Sequence, residues 1–199
     1  MFVPGVTLHL RHRGNNRCAV FGDDEDYEVY LTMLESAMRR HSVSVHAFAL
    51  MTTHTHLQVT PDSEYGTCDA MKELGGNYVL YFNRKYNRVG TLWTGRYGAK
   101  PILDERYWLI CLRYIEQNPV RAGIVVLPEQ YRWSSYRAHA FGDGPDWLAS
   151  HPVFERLGAN DEERRTAYRA LCAIPVDTGQ AVRLRFRAYQ RVLAKKGLT

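Results

Sequence analysis

His54-Thr55-His56 stands inside an apolar stretch that runs from Val43 to Val59. Successive side chains of a β-strand point to opposite faces, so residues i and i+2 share one. A strand here sets two histidines side by side on one face of a sheet. Two imidazoles so placed can grip a divalent ion. A half-exposed sheet face that merely carries two histidines reads the same way. The pair gains meaning only with a third ligand and a nucleophile.

The flanking periodicity fixes the architecture further. Val3 to His12 alternates as a strand, with Val6, Leu8 and Leu10 on one side. Asp23-Asp24-Glu25-Asp26 places negative charge where a helix dipole favours it. Tyr27, Tyr30, Leu31, Leu34 and Met38 continue at helical spacing, and Arg39-Arg40-His41 closes the helix with positive charge. The acidic run therefore reads as a helix start rather than a metal site. Val43 to Met51 and His54 to Thr60 read as strands joined by Thr52-Thr53. Gly66 to Tyr86 reads as a second helix and Gly90 to Leu103 as an irregular strand. Asp104 to Asn118 reads as a third helix, ended by Pro119. The order β-α-β-β-α-β predicts an α+β protein, a ferredoxin-like split βαβ sandwich. Its sheet would be antiparallel, with helices on one face and the other face free.

The pattern loosens after residue 127. Tyr131-Arg132-Trp133-Ser134-Ser135-Tyr136 reads as a loop entering a short helix. Asp161 to Cys172 and Ala181 to Lys196 read as two small helices, the last carrying Arg183, Arg185, Arg187, Arg191, Lys195 and Lys196. We read residues 1–127 as the main domain. Residues 128–199 form an accessory, helical and basic extension expected to contact nucleic acid.

Composition narrows the partner. The 199 residues, 45% hydrophobic, can bury an ordinary core. The net charge is +5, and no acidic residue occurs from Leu74 to Leu103, where Arg84, Lys85, Arg88, Arg96 and Lys100 lie. Such a face favours a polyanion. Cys18, Cys68, Cys111 and Cys172 are dispersed, which excludes a zinc knuckle and a short disulfide scaffold and points to a reducing compartment. No secretory signal and no run of membrane-spanning length is visible, so the expected location is cytoplasmic and nucleoid-associated.

The third helix supplies the remaining chemistry. Tyr114 and Asn118 are four residues apart and share a helix face. The Asn118 side-chain oxygen could complete a metal shell, and Tyr114 would face the ion from one turn back. A phenol is a poor nucleophile when neutral, and a divalent cation makes its phenolate more accessible. Both residues also have ordinary readings. Tyr114 lies among Leu109, Ile110, Leu112 and Ile115 and reads equally as core with its hydroxyl at the rim. Asn118 reads equally as a helix cap before proline. Glu116 and Gln117 are rival ligands on other faces of the helix.

Five segments carry a resemblance. They are Arg13-Gly14-Asn15-Asn16-Arg17, Met51-Thr52-Thr53-His54-Thr55-His56-Leu57, Gly90-Thr91-Leu92-Trp93-Thr94-Gly95-Arg96-Tyr97, the run from Arg113 through Asn118-Pro119-Val120-Arg121 to Gly123, and Tyr131 to Tyr136. In this order, over about residues 4 to 140, the chain resembles the single-tyrosine HUH transposases of the insertion-sequence-200 superfamily. It looks most like their REP-associated branch. The resemblance implies a ferredoxin-like nuclease that cuts single-stranded DNA beside a hairpin. It implies that His54, His56 and Asn118 bind a divalent metal, Mg2+ or Mn2+. Tyr114 would attack the phosphate, form a 5′-phosphotyrosine link and release a 3′-hydroxyl. The family usually has a bulky apolar residue between the histidines, where this chain has Thr55. Imidazole ligands suit manganese better than magnesium, a hard ion.

Expected DNA contacts are Arg13, Arg17, Trp93, Arg96, Tyr97, Arg113 and Arg121. Aromatic rings stack on unpaired bases while cations track the backbone. Tyr78, Tyr81 and Phe82 read instead as the buried side of the second helix. The partner is single-stranded or hairpin DNA, bound by a monomer or a homodimer. Two other readings stand beside the enzyme. One is a module that binds hairpin DNA or RNA without cutting, since this type of sheet is a common platform. The other is a small-molecule phosphohydrolase, which would call for more carboxylate ligands.

Overall fold

The computed structural model describes residues 1–174. The basic segment from Arg183 to Lys196, expected to be helical, lies outside the described residues. Four antiparallel strands form the sheet: β1 (Leu8–Arg13), β2 (Val43–Met51), β3 (His54–Pro61) and β4 (Gly98–Pro101), in spatial order β2-β3-β1-β4. Helices α1 (Asp24–Arg40) and α2 (Gly66–Lys85) complete the β-α-β-β-α-β order and the α+β split βαβ sandwich.

Local chemistry explains the boundaries. Asp23 caps α1, its carboxylate accepting from the Asp26 N–H at 3.1 Å. Asp24, Glu25 and Asp26 fill the first turn and Arg39 and Arg40 the last, so the acidic run is indeed a helix start. Met51 pairs with His54, which makes Thr52-Thr53 the two-residue turn between β2 and β3. Strand β4 is only four residues long, because residues 90 to 97 form a loop instead. Strand β1 likewise begins at Leu8 rather than Val3.

One sheet face bears Leu8, Leu10, Leu57 and Val59 and packs on Tyr30, Leu34 and Met38 of α1 and Met71, Leu74 and Tyr78 of α2. The opposite face, which the periodicity predicted to be free, is covered. Helix α3 (Glu105–Glu116) lies there, and its Trp108, Cys111, Leu112 and Ile115 form a second core with Ala47 and Ala49 of β2. Each of the larger of these side chains stabilises by about 1.5–3 kcal/mol through burial. Small alanines on β2 let α3 approach. The short α4 (Asn118–Arg121) follows directly.

Residues 128–174 are tied into both cores. Tyr131 and Trp133 join the first, while Tyr136 of α5 (Tyr136–Phe141), Val153 of α6 (Pro152–Glu155) and Tyr168 of α7 (Asp161–Ala173) join the second. Ser134 bridges Ala49 on the outer side of β2.

Candidate active site

The register of β1 on β3 builds the site. Arg13 lies opposite His54, Arg11 opposite His56 and His9 opposite Gln58. Pairing thus aligns a row of basic and imidazole side chains on the α3 side of the sheet. His54 and His56 share that face, their ring centroids 4.9 Å apart with planes at 79°. The Tyr114 ring stands edge-on to His56 and to His9, 5.9 Å from each. Arg121 places its guanidinium carbon 4.7 Å from the centre of the Tyr114 ring. A cleft of about 420 Å³ opens here, lined by His9, His56, Tyr114, Arg11, Arg13, Arg96 and Lys100.

The loop Arg13-Gly14-Asn15-Asn16-Arg17 locks the cleft's far end. Gly14 N–H donates to the Thr53 carbonyl at 2.9 Å, Asn15 N–H to Leu92 at 2.8 Å, and Thr94 N–H to Arg13 at 2.9 Å. A side chain at Gly14 would lie 2.4 Å from the Cys18 carbonyl oxygen, so only glycine passes. Three segments distant in sequence therefore meet at one point. Asn16 and Arg17 stand at φ +48 and +58. That left-handed conformation costs roughly 1–2 kcal/mol for a residue with a Cβ.

The histidines are suited to metal. Burial, helped by Arg11, pushes His54 down to about 4. Burial and its neighbours His9 and His54 hold His56 well below the ordinary range. Both rings are neutral at pH 7, the form that ligates. Each Nδ1 is already engaged, by Thr53 Oγ1 at 3.1 Å for His54 and by His9 Nε2 at 2.8 Å for His56. The Nε2 atoms remain for a ligand. Asn118 Nδ2 donates to the carbonyls of Tyr114 at 2.7 Å and Ile115 at 3.4 Å, and its Oδ1 has no hydrogen bond among the described residues. No group of three His, Cys, Asp or Glu side chains among the described residues is placed to hold a metal alone. Two imidazoles and an amide oxygen are thus a fitting donor set for a borderline divalent ion.

The rival ligands are occupied. Glu116 is fully buried and accepts from Ser135, His139 and Tyr168, and Gln117 donates to the Cys172 carbonyl at 2.7 Å.

Several expected DNA contacts lie elsewhere. Trp93 is only 6% exposed, stacks on His12 at 4.0 Å and donates to the Gly75 carbonyl at 3.3 Å. Its ring belongs to the α2 side of the sheet, so it cannot stack on a base as expected. Tyr97 lies on that side too, its hydroxyl 3.6 Å from Cys68 Sγ. Arg113 does not flank the cleft either: it is buried, and its guanidinium donates to the Ile174 carbonyl. Arg17 is exposed on its loop, outside the cleft lining. Arg13, Arg96 and Arg121 do gather around Tyr114.

Sequence reading missed His9 and Arg11, and placed Lys100 only within a basic window rather than at the site. The signal was present: if Leu8 and Leu10 face one core, then His9, Arg11 and Arg13 face the other side. Lys100 pairs with His9 across β1 and β4.

An antiparallel split βαβ sheet that presents a histidine pair to a helix-borne tyrosine defines the class, a protein of the transposase fold. The chain belongs to the family of IS200-like transposases, whose model matches residues 2–118, more than half of its length. It is similar in structure to a REP-associated tyrosine transposase bound to a REP hairpin, with a TM-score of 0.57 and 18% identity over 76% of this chain and 89% of that one. A protein from Deinococcus radiodurans R1 described as a transposase matches at a TM-score of 0.42 and 18% identity, over 65% of this chain and 90% of the other. No curated protein matches the chain. No helix among the described residues is long and apolar enough to cross a membrane.

Proposed function

We propose that the protein is a metal-dependent endonuclease and strand transferase that acts on single-stranded DNA beside a hairpin such as a REP element. The observation that carries this reading is the position of Tyr114, edge-on to His56 in a cleft walled by arginine and lysine. Family membership supports it. The Tyr114 side chain is half-buried and lines that cleft. By contrast, Tyr78 donates to the Val20 carbonyl at 2.6 Å and Tyr168 to Glu116 at 2.5 Å, both within cores.

Arg11, Arg13, Arg96 and Lys100 bind the phosphate backbone and orient the scissile group. Arg13 Nε is buried without a partner among the described residues, as a group awaiting an anion would be. Tyr114 Oη attacks the phosphorus, the bond from phosphorus to the 3′ oxygen breaks, and the tyrosyl proton ends on that oxygen. The products are a 5′-phosphotyrosine link and a free 3′-hydroxyl. Attack by another 3′-hydroxyl reverses the step and joins strands. His54, His56 and Asn118 would hold a divalent metal, Mn2+ or Mg2+, which when bound polarises the phosphate and stabilises developing charge. Arg121 stacks over the Tyr114 ring and helps to hold it in place.

Hairpin single-stranded DNA incubated with the protein and Mn2+ or Mg2+ should yield a covalent protein–DNA adduct on denaturing gels. The adduct should require metal and disappear in Tyr114→Phe. Tight hairpin binding with no adduct under either metal would replace this reading with that of a non-catalytic binding module.

A further inference from the structure

We propose that Glu116 and the donors gathered on it are a positioning device that fixes the turn carrying Tyr114. The proposal rests on Tyr114 being the nucleophile. Glu116 is fully buried. Its Oε1 accepts from Ser135 Oγ at 2.5 Å and from His139 Nδ1 at 2.7 Å, and its Oε2 accepts from the Tyr168 hydroxyl at 2.5 Å. Three separate parts of the chain thus converge on one carboxylate: the loop before α5, α5 itself and α7.

The same turn is held by its neighbours on the helix. Arg113 donates to the Ile174 carbonyl, and Gln117 to Cys172 at 2.7 Å. Residues 113, 116 and 117 are spaced i, i+3 and i+4 and form one face. Tyr114 projects from another side, toward the sheet histidines. The turn is gripped from behind while its front bears the reacting groups. The grip reaches the sheet as well. Phe48 N–H of β2 donates to Ser135 Oγ at 2.9 Å, and Ser135 N–H donates to the Phe48 carbonyl at 3.0 Å. Glu116 therefore connects the Tyr114 turn to the strand next to β3, which carries His54 and His56.

A buried carboxylate is not a cheap way to hold a helix. Well-packed apolar side chains of similar volume stabilise as well or better. What directional hydrogen bonds add is geometry: three donors on two oxygens fix the helix end against sliding and rotation, which apolar packing tolerates. Chemistry in this cleft needs that, since a misplacement of about 1 Å can cost on the order of 100-fold in rate.

The test uses the full chain and single-turnover adduct formation on hairpin DNA with Mn2+, at saturating protein. Tyr168→Phe removes one hydrogen bond and keeps the ring; Ser135→Ala removes another from a different element. Each variant should form adduct about 10-fold or more slowly than wild type, with hairpin affinity within twofold and a fully folded baseline in the melting curve. A purely structural role would lower binding and rate together with the folded fraction. Should Tyr168→Phe melt below the assay temperature, Ser135→Ala assayed at 10 °C decides. Wild-type rates in folded variants would overturn the positioning role and leave the nucleophile assignment standing. Absence of adduct from the wild type itself would instead overturn the proposed function.

Discussion

His9 Nε2 lies 2.8 Å from His56 Nδ1, and the two rings stack with centroids 5.1 Å apart. One strand thus sets the orientation of an imidazole on the next. A ligating histidine commonly has its second nitrogen held in this manner, which fixes the tautomer and aims the first. Burial, with Lys100 and Arg11 near, pushes His9 down to about 4, so it remains a neutral partner across the physiological range. His9→Phe keeps a ring in place and removes the hydrogen bond. Mn2+ affinity should fall about 10- to 100-fold by isothermal titration. An unchanged affinity would show that His56 orients itself without help.

Arg17 combines an exposed cation with a backbone at φ +58. Replacement by glycine relieves the strain and removes the charge. Arg17→Gly should raise the unfolding free energy by about 0.5–1 kcal/mol in urea titrations. If the loop touches the DNA backbone, the slope of log K against log salt for hairpin binding should fall by about one. Higher stability with an unchanged salt slope would leave the strain without a role in DNA binding.

Trp93 separates packing from DNA contact. Trp93→Ala should destabilise by about 3–5 kcal/mol, because the void lies between His12, Tyr30 and Tyr78. Trp93→Phe retains much of that packing and loses the bond to Gly75, at about 1–2 kcal/mol. The folded Trp93→Phe protein should bind hairpin DNA within twofold of wild type. A tenfold loss at wild-type stability would return the residue to the interface.

Acid should weaken the fold through histidines buried neutral. His46 is pushed down to about 4 by burial, with His151 and His139 adding repulsion against the acceptance of a proton. Below the ordinary value of 6.5 the unfolded chain binds a proton that folded His46 refuses until pH falls near 4. Its contribution is therefore complete above pH 6.5 and lost progressively down to about 4, by roughly 3 kcal/mol in all. Urea melts of wild type and His46→Gln at pH 7 and 4.5 compare the two. The variant should show the shallower decline. Parallel declines would locate the acid sensitivity in other groups.

The contrast between what periodicity shows and what it hides is physical. Alternation placed His54 and His56 on one face because a strand's period depends only on backbone geometry. Caps and charge placement revealed α1 for the same local reason. The cover of α3 on the second sheet face was less legible, since it depends on Ala47 and Ala49 being small, and small residues carry no period. Trp93 misled because a Gly-rich loop with an aromatic ring reads as a contact surface until its neighbours in space are known. Arg113 misled because proximity to Tyr114 in sequence is not proximity around a helix. The convergence on Glu116 involves Ser135, His139 and Tyr168, between 19 and 52 residues away, and no local pattern announces it.

The outer margin of β2 bears on how the molecule behaves when crowded. Its backbone groups are taken by the segment after Tyr131: Leu50 N–H donates to the Trp133 carbonyl at 2.9 Å, Ser135 to Phe48 at 3.0 Å and Ala149 to Val45 at 2.8 Å. The other margin is β4, four residues that begin with Gly98 and end with Pro101, which has no N–H to offer. A sheet with one sealed edge and one short, proline-ended edge gives a foreign strand little to pair with. Lateral growth into fibrils is thereby discouraged at both borders, without surrender of the open cleft between them.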